Sequence, residues 1–111
     1  MAVLHTEYLI QSENIQSVPE IDKDIFNYIQ NNNTGYFDDD IKDDSRLEVF
    51  LHLSELRKSL LNWYEFIPDA YTLEIGGGFG AITGLLCEKC AHVYTVEHSE
   101  FRAKAIYQRY E

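Results

Sequence analysis

The fold of this chain is decided by the segment Tyr71-Thr72-Leu73-Glu74-Ile75-Gly76-Gly77-Gly78-Phe79-Gly80. Its first half is an apolar run that carries one acid, and its second half has glycine at every second position. This pattern predicts a short strand that leads directly into a turn. The turn needs backbone dihedrals, or a close approach to a ligand, that a Cβ atom would prevent. The strand residues that we expect to be buried are Tyr71, Leu73 and Ile75.

A helix and a second strand are predicted to follow the turn. The second apolar run, Val93–Val96, ends in Glu97, which lies 21 residues after Gly76. A carboxylate at this place can accept hydrogen bonds from both hydroxyls of a ribose. A strand, a glycine turn, a helix and an acid-tipped strand together predict a nucleotide-handling unit. The helix between the strands is indicated by apolar residues on one face, Ile82, Leu85 and Leu86.

Two cofactor classes fit a glycine turn with a distal acid. A dinucleotide fingerprint would run Gly76-x-Gly78-x-x-Ala81 and would indicate a nicotinamide-dependent oxidoreductase. The other class is S-adenosylmethionine, which Glu74 favours, because a carboxylate so close to the first glycine would repel a pyrophosphate but suits a positively charged group. A third alternative is an interaction module whose glycines serve only tight packing.

Residues 71–101 resemble the first two motifs of class I S-adenosylmethionine-dependent methyltransferases. The family pattern acid-x-Gly-x-Gly-x-Gly is matched by Glu74, Gly76, Gly78 and Gly80. The resemblance implies that these four residues line the methionine and ribose parts of the cofactor. It also implies that Glu97 binds the ribose and that His98 borders the adenine.

A second, weaker resemblance covers residues 53–64, which are similar to helices that precede this motif in some bacterial methyltransferases linked to surface-polysaccharide synthesis. The activity implied by both resemblances is the transfer of a methyl group from S-adenosylmethionine to a nucleophile. They leave the methyl acceptor open: a sugar, a small metabolite, a protein and RNA are all compatible.

The residues before the glycine turn predict two helices. Ser17 to Glu20 form a capping-box pattern that opens a helix ending before Gly35, and Ser45 to Glu48 form a second one. The second helix is predicted to be the strongest of the chain and to end before Pro68, and we expect its apolar face to be buried. That face consists of Val49, Leu53, Leu56, Leu60 and Trp63, widened by Phe50, Leu61 and Tyr64.

Three further segments complete the interpretation of the chain. Residues 2–10 allow a short strand or an irregular arm, and the acidic residues 34–44 indicate a solvated loop leading into a helix rather than a cation site. Ser99 is predicted to cap a last helix.

The predicted fold class is α/β, with N-terminal helices followed by the first βαβα of a Rossmann-like methyltransferase sheet. We assign residues 1–67 to an arm and a helical section, and residues 68–111 to the start of an S-adenosylmethionine-binding domain. Further strands and the later motifs have no room in 111 residues, so we expect a truncated chain that is inactive alone, and no catalytic base is nominated. The missing strand neighbour predicts self-association through an exposed strand edge.

The charge and composition of the chain limit the classes of molecule that it is expected to bind. The net charge is −10 and no basic stripe is visible, which disfavours nucleic acids and anionic membranes. No apolar run reaches the roughly 20 residues of a membrane span, and no basic n-region marks a signal peptide, so we expect a cytoplasmic protein.

The cysteines and histidines do not predict a metal site. Cys87 and Cys90 form a CxxC at the end of a predicted helix, while His92 and His98 flank a strand, so four convergent ligands are not indicated. We expect both cysteines to be reduced and packed beneath that helix end. His52 lies within the predicted strong helix and is interpreted as a packed interface residue.

Overall fold

The computed structural model describes residues 2–9 and 17–111. Within these ranges the chain is a mixture of helices and a two-stranded sheet, which confirms an α/β fold. No helix in the described ranges is both long and apolar enough to cross a membrane. The elements are α1 (Glu20–Asn31), α2 (Asp38–Asp43), α3 (Leu47–Leu53), a 3-10 helix (Glu55–Leu60), β1 (Tyr71–Ile75), α4 (Thr83–Lys89), β2 (His92–Val96) and α5 (Glu100–Tyr110).

The sheet consists of two parallel strands joined through α4. Tyr71 of β1 is paired with His92 of β2 at one end, and Ile75 is paired with Val96 at the other. Both strands were predicted, and so was the Ser99 cap of α5, whose side chain accepts a hydrogen bond from the Arg102 N–H. Parallel pairing places the carboxyl ends of both strands at the same edge of the sheet, so Gly76 and Glu97 follow neighbouring strand ends.

One face of this sheet is uncovered in the described residues. α4 packs against the other face, where the Thr83 hydroxyl donates to the Glu74 carboxylate. The apolar residues of β1 lie on the uncovered face, so the prediction that they are buried was wrong. Because successive side chains of a strand point to opposite faces, the apolar ones are left outside. They are Tyr71, Leu73, Ile75, Tyr94 and Val96, each more than half exposed.

The core lies among the helices and the glycine turn rather than on the sheet. α1 packs against α3 and α5, and the ring of Phe79, from within the glycine turn, is fully buried at the centre of this cluster. The core therefore joins residues on both sides of Pro68, and the division of the chain at residue 67 stays a prediction. The other buried members of the cluster are Ile25, Ile29, Phe37, Val49, Leu53 and Ala105.

The long helix predicted to reach Pro68 is interrupted at Ser54. This residue has extended backbone angles (φ −72°, ψ 138°), and its hydroxyl accepts a hydrogen bond from the Leu56 N–H. A serine that caps a new turn competes with continuation of the helix, so α3 ends at Leu53 and a 3-10 helix follows. The apolar residues beyond the break are mostly exposed, contrary to the prediction: Leu56, Leu60, Trp63 and Tyr64.

Neither predicted capping box forms. Pro19 and Arg46 occupy the N-cap positions of α1 and α3, and neither makes a side-chain cap hydrogen bond. The carbonyl of Pro19 already accepts from the N–H groups of Asp22 and Lys23, so α1 begins at Glu20 rather than near Ser17.

The remaining segments differ little from expectation. Part of the acidic segment forms the six-residue α2, with Asp38, Asp39 and Asp40 in its first turn, where acids suit the helix dipole. Residues 2–9 form neither helix nor strand, and residue 10 of the predicted arm lies outside the described residues.

Candidate functional site

The glycine turn begins at the carboxyl edge of the sheet. The N–H groups of Gly76 and Gly77 both donate to the Val96 carbonyl, over 2.7 and 3.3 Å. The Gly80 N–H then donates to the Gly77 carbonyl over 2.9 Å and closes the turn. α4 begins only at Thr83 and has seven residues.

The glycines of the turn have two different functions. A Cβ atom on Gly77 would collide with Thr95 and lie 2.9 Å from Ile106 Cδ1, and one on Gly80 would lie 2.7 Å from the Tyr110 ring. These two positions are glycine because the last helix and the second strand pack closely against them. Gly77 lies outside the alternating pattern, and sequence reasoning missed it although the unbroken Gly76–Gly78 run could have indicated it.

Gly76 and Gly78 leave open space instead. Their φ angles are +76° and +62°, in the left-handed region that favours glycine. A Cβ on Gly76 would meet nothing within 4 Å, and one on Gly78 would meet only the His52 ring, at 3.8 Å. A ligand can therefore approach the backbone of these two residues without meeting side chains, while both N–H groups already donate within the protein.

The Glu74 side chain stabilises the turn through hydrogen bonds on the covered face of the sheet. Its Oε1 atom accepts hydrogen bonds from the Thr83 hydroxyl at 2.5 Å and from the Thr95 hydroxyl at 3.0 Å. The carboxylate thus ties β1 to the first residue of α4 and to β2. It lies on the covered face of the sheet, 3.4 Å from the position of a Cβ on Gly77. Thr83 and Thr95 were not predicted, since a threonine in a strand or a helix gives no sequence signal by itself.

Glu97 and the glycine turn meet as the parallel topology predicts. The Glu97 side chain is only 4% exposed. Its Oε2 atom accepts the Gly78 N–H at 2.7 Å, and its Oε1 atom accepts the Ser99 N–H at 3.1 Å. A carboxylate has about four lone-pair positions, so two of them are used within the protein. His98 is 95% exposed and lies over the same carboxylate, with Nδ1 at 3.1 Å from Oε1.

The His52 ring borders the other side of Gly78, and Arg109 donates to the backbone carbonyl of His52. The His52 ring packs edge-on against the buried Phe79 ring, with centroids 5.1 Å apart. Its pKa is lowered, first by burial and then by the charge of Arg102, with smaller contributions from Arg57 and Arg109. Sequence reasoning missed the contact between His52 and Arg109, because the two residues come from α3 and α5 and share no motif.

Cys87 lies in the last turn of α4, and Cys90 is the C-cap residue of that helix. Cys87 is an exposed thiol and Cys90 a buried one, so the expected packing beneath the helix end holds for Cys90 alone. Cys87 is exposed as a residue, but partial burial of its thiol raises the thiol pKa, and the charge of Glu74 adds to that effect. Among residues 2–9 and 17–111, no group of three or more His, Cys, Asp or Glu side chains could hold a metal ion.

Two surface grooves lie away from the glycine turn. The larger has a volume of about 640 Å³ and runs between the 3-10 helix, α3 and α4, and the smaller, of about 310 Å³, lies beside residues 31–34.

Comparisons with protein families, characterised proteins and solved structures find no match for this chain. The functional argument therefore depends on the site itself.

Proposed function

We propose that this chain binds S-adenosylmethionine at the glycine turn and belongs to a methyltransferase with a Rossmann-like sheet. The observation that supports this best is the contact between Gly78 and Glu97 at the carboxyl edge of two parallel strands. Ligands of open α/β sheets bind at such an edge. The open space beside Gly76 and Gly78 allows a ligand to contact the backbone of the turn.

We assign each site residue a part in binding the cofactor. Gly76 and Gly78 shape the turn against the methionine and ribose parts of the cofactor, and Gly80, which packs against the Tyr110 ring, supports the turn. Glu97 exchanges the Gly78 N–H for ribose hydroxyls when the cofactor binds, and the exposed His98 ring lies beside the adenine. Glu74 acts mainly by fixing the turn, and its negative charge favours a sulfonium nearby.

The cofactor supplies an electrophilic methyl group, and the protein supplies alignment. Holding a nucleophile in line with the sulfonium at short range accounts for much of the rate acceleration in such a reaction. The acceptor and the residues that contact it stay unassigned. We also propose a cytoplasmic location, which agrees with the two free thiols.

Calorimetric titration with S-adenosylhomocysteine and, separately, with NAD tests the cofactor. We expect the protein to bind S-adenosylhomocysteine and not to bind NAD. The variant Glu97→Gln should weaken this binding, because a neutral amide has one accepting oxygen where the carboxylate has two. Glu100→Gln is the matched control, since this exposed acid pairs with Lys104 on the surface of α5. Preference for NAD would indicate the oxidoreductase instead, and binding of neither ligand would favour a packing role for the glycines.

We further propose that the chain self-associates through the outer edge of β1. In the described residues β1 pairs with β2 alone, so its other edge presents unpaired backbone groups. Such an edge is a template for another strand.

A further inference from the structure

The larger of the two surface grooves lies on a part of the molecule that the proposed cofactor site does not use. Its walls come from α2, α3, the 3-10 helix and α4, and none of the residues proposed to bind the cofactor is among its described lining. Its volume of about 640 Å³ is within the range of about 300–1,000 Å³ that is usual for binding clefts. The groove is therefore large enough to bind a molecule of its own.

Apolar side chains that remain accessible to water line this groove. Tyr36 is 67% exposed, Leu56 65% and Phe50 38%. Leu56 is exposed because α3 ends at Leu53, and Ser54 begins a new turn instead of continuing the helix. Apolar surface that a folded chain leaves in water, gathered in a concave region, is typical of interaction sites.

Carboxylates from three different elements line the same groove. Asp38 begins α2, Glu55 begins the 3-10 helix, and Glu88 lies in α4. The only cationic side chain in the described lining is Lys58, whose Nζ atom lies 2.9 Å from Glu55 and 3.6 Å from Glu88. One ammonium is thus shared by two carboxylates, and in the described part of the chain Asp38 forms no ion pair. With three acids against one base, the lining keeps a net negative charge.

The charge of the whole chain favours a basic molecule in this groove. The chain carries 19 Asp and Glu against 9 Lys and Arg, so its field attracts cations, and a second copy would bring further acids to the groove. A small ligand is normally enclosed over most of its surface, whereas Tyr36 and Leu56 leave this groove open to solvent. An open groove with apolar side chains suits the apolar face of an amphipathic segment of a partner protein.

We propose that this groove binds a basic amphipathic segment of another protein. An apolar side chain of that segment packs on Phe50 and Leu56, and its lysine or arginine side chains pair with Asp38 and Glu88. Glu88 is accessible for such a pair, because its contact with Lys58 is long and its side chain is 65% exposed. Charge pairs at the border of an interface contribute to specificity and to the rate of association more than to affinity, so the apolar contact supplies most of the binding free energy. The proposal is independent of the cofactor at the glycine turn.

Fluorescence anisotropy with a labelled synthetic peptide of leucine and lysine at helical spacing tests the proposal. Leu56→Ala should lower the affinity for this peptide about tenfold, because less apolar surface is buried on binding. Leu47→Ala is the matched control, since Leu47 is 64% exposed on α3 but does not line the groove, and it should bind as the wild type does. Asp38→Asn should lower the affinity about threefold. Asp39→Asn removes the same charge from the next residue of α2, outside the described lining of the groove, and should leave the affinity nearly unchanged.

The same peptide should shift the amide NMR signals of Phe50 and Leu85, two residues that line the groove. Absence of binding to the wild type would overturn the proposal. Equal effects of Asp38→Asn and Asp39→Asn, with none of Leu56→Ala, would also overturn it, because they would indicate general attraction to an acidic protein.

Two further measurements test the other molecules that could occupy the groove. Phenethylamine, a small amine with an apolar body, should not displace the peptide at an equal concentration, and displacement would indicate a site for a small cation instead. The molar mass of Leu56→Ala by light scattering should follow that of the wild type at every concentration. A lower mass for this variant would show that a second copy occupies the groove and would overturn the proposal.

Discussion

The backbone N–H of Gly78 donates to the carboxylate of Glu97 over 2.7 Å, and this bond joins the carboxyl ends of the two parallel strands. The carboxylate is nearly fully buried, so the bond is protected from water. It fixes the glycine turn in the conformation that leaves Gly76 and Gly78 open. The residue proposed to bind ribose is therefore also a structural part of the ligand-free site.

Replacing Glu97 by alanine should lower the stability of the protein. The substitution removes the hydrogen bond from the part-buried Gly78 N–H to a charged group, a bond that contributes about 1.5–3 kcal/mol to the free energy of unfolding. Urea unfolding followed by circular dichroism measures this loss. The exposed Glu100→Ala should stay within about 0.5 kcal/mol of the wild type. Equal stability of Glu97→Ala and the wild type would show that the bond to Gly78 is dispensable.

Gly77→Ala should destabilise the protein through overpacking. The new methyl group would collide with Thr95 and approach Ile106 Cδ1 at 2.9 Å. Forcing an extra methyl group into a packed site costs about 1–3 kcal/mol. Ala91→Ser, at an exposed position before β2, is a control that should change stability by less than about 0.5 kcal/mol. If both variants unfold at the same urea concentration as the wild type, the close packing of the turn is not required.

The sequence predicted those parts of the fold that local patterns determine. Two apolar runs gave both strands, Ser99 was identified as a cap, and the parallel topology brought Glu97 to the glycine turn. The break at Ser54 was not predictable from periodicity, because the apolar spacing continues through Leu56 and a serine can occupy either a helix interior or a cap.

The site residues missed by the sequence depend on tertiary contacts. His52 and Arg109 are 57 positions apart and are joined by a hydrogen bond only because α3 and α5 border the same turn. Exposure of the sheet was missed for a similar reason. An apolar strand predicts a partner on each face, but the pattern does not say whether the described residues supply one.

Stability should decrease on acidification in a way that depends on His52. Burial and the neighbouring arginines hold the pKa of this imidazole below its usual value of 6.5. The unfolded chain therefore binds a proton at a higher pH than the folded protein. The stabilising contribution is complete above about pH 6.5 and is lost as the pH falls toward the lower folded pKa. The urea midpoint should fall between pH 7.5 and 5.5, and less so in His52→Gln. His92→Gln, at an exposed position in β2, should follow the wild type. An identical decline in all three proteins would exclude His52 as the source.

Self-association should depend on β1 and its exposed face. Leu73 is 59% exposed in the middle of β1, among four other apolar side chains that are also more than half exposed. Contiguous apolar surface of this kind marks interaction sites, and charged residues at a strand edge oppose pairing. We expect the molar mass measured by light scattering to rise with concentration for the wild type. For Leu73→Lys it should stay at the value of the monomer at every concentration. Leu47→Lys is the matched control, since Leu47 is 64% exposed on α3 and far from the strand edge in sequence. A wild type that is monomeric at every concentration, or an equal effect of both lysines, would contradict association through β1.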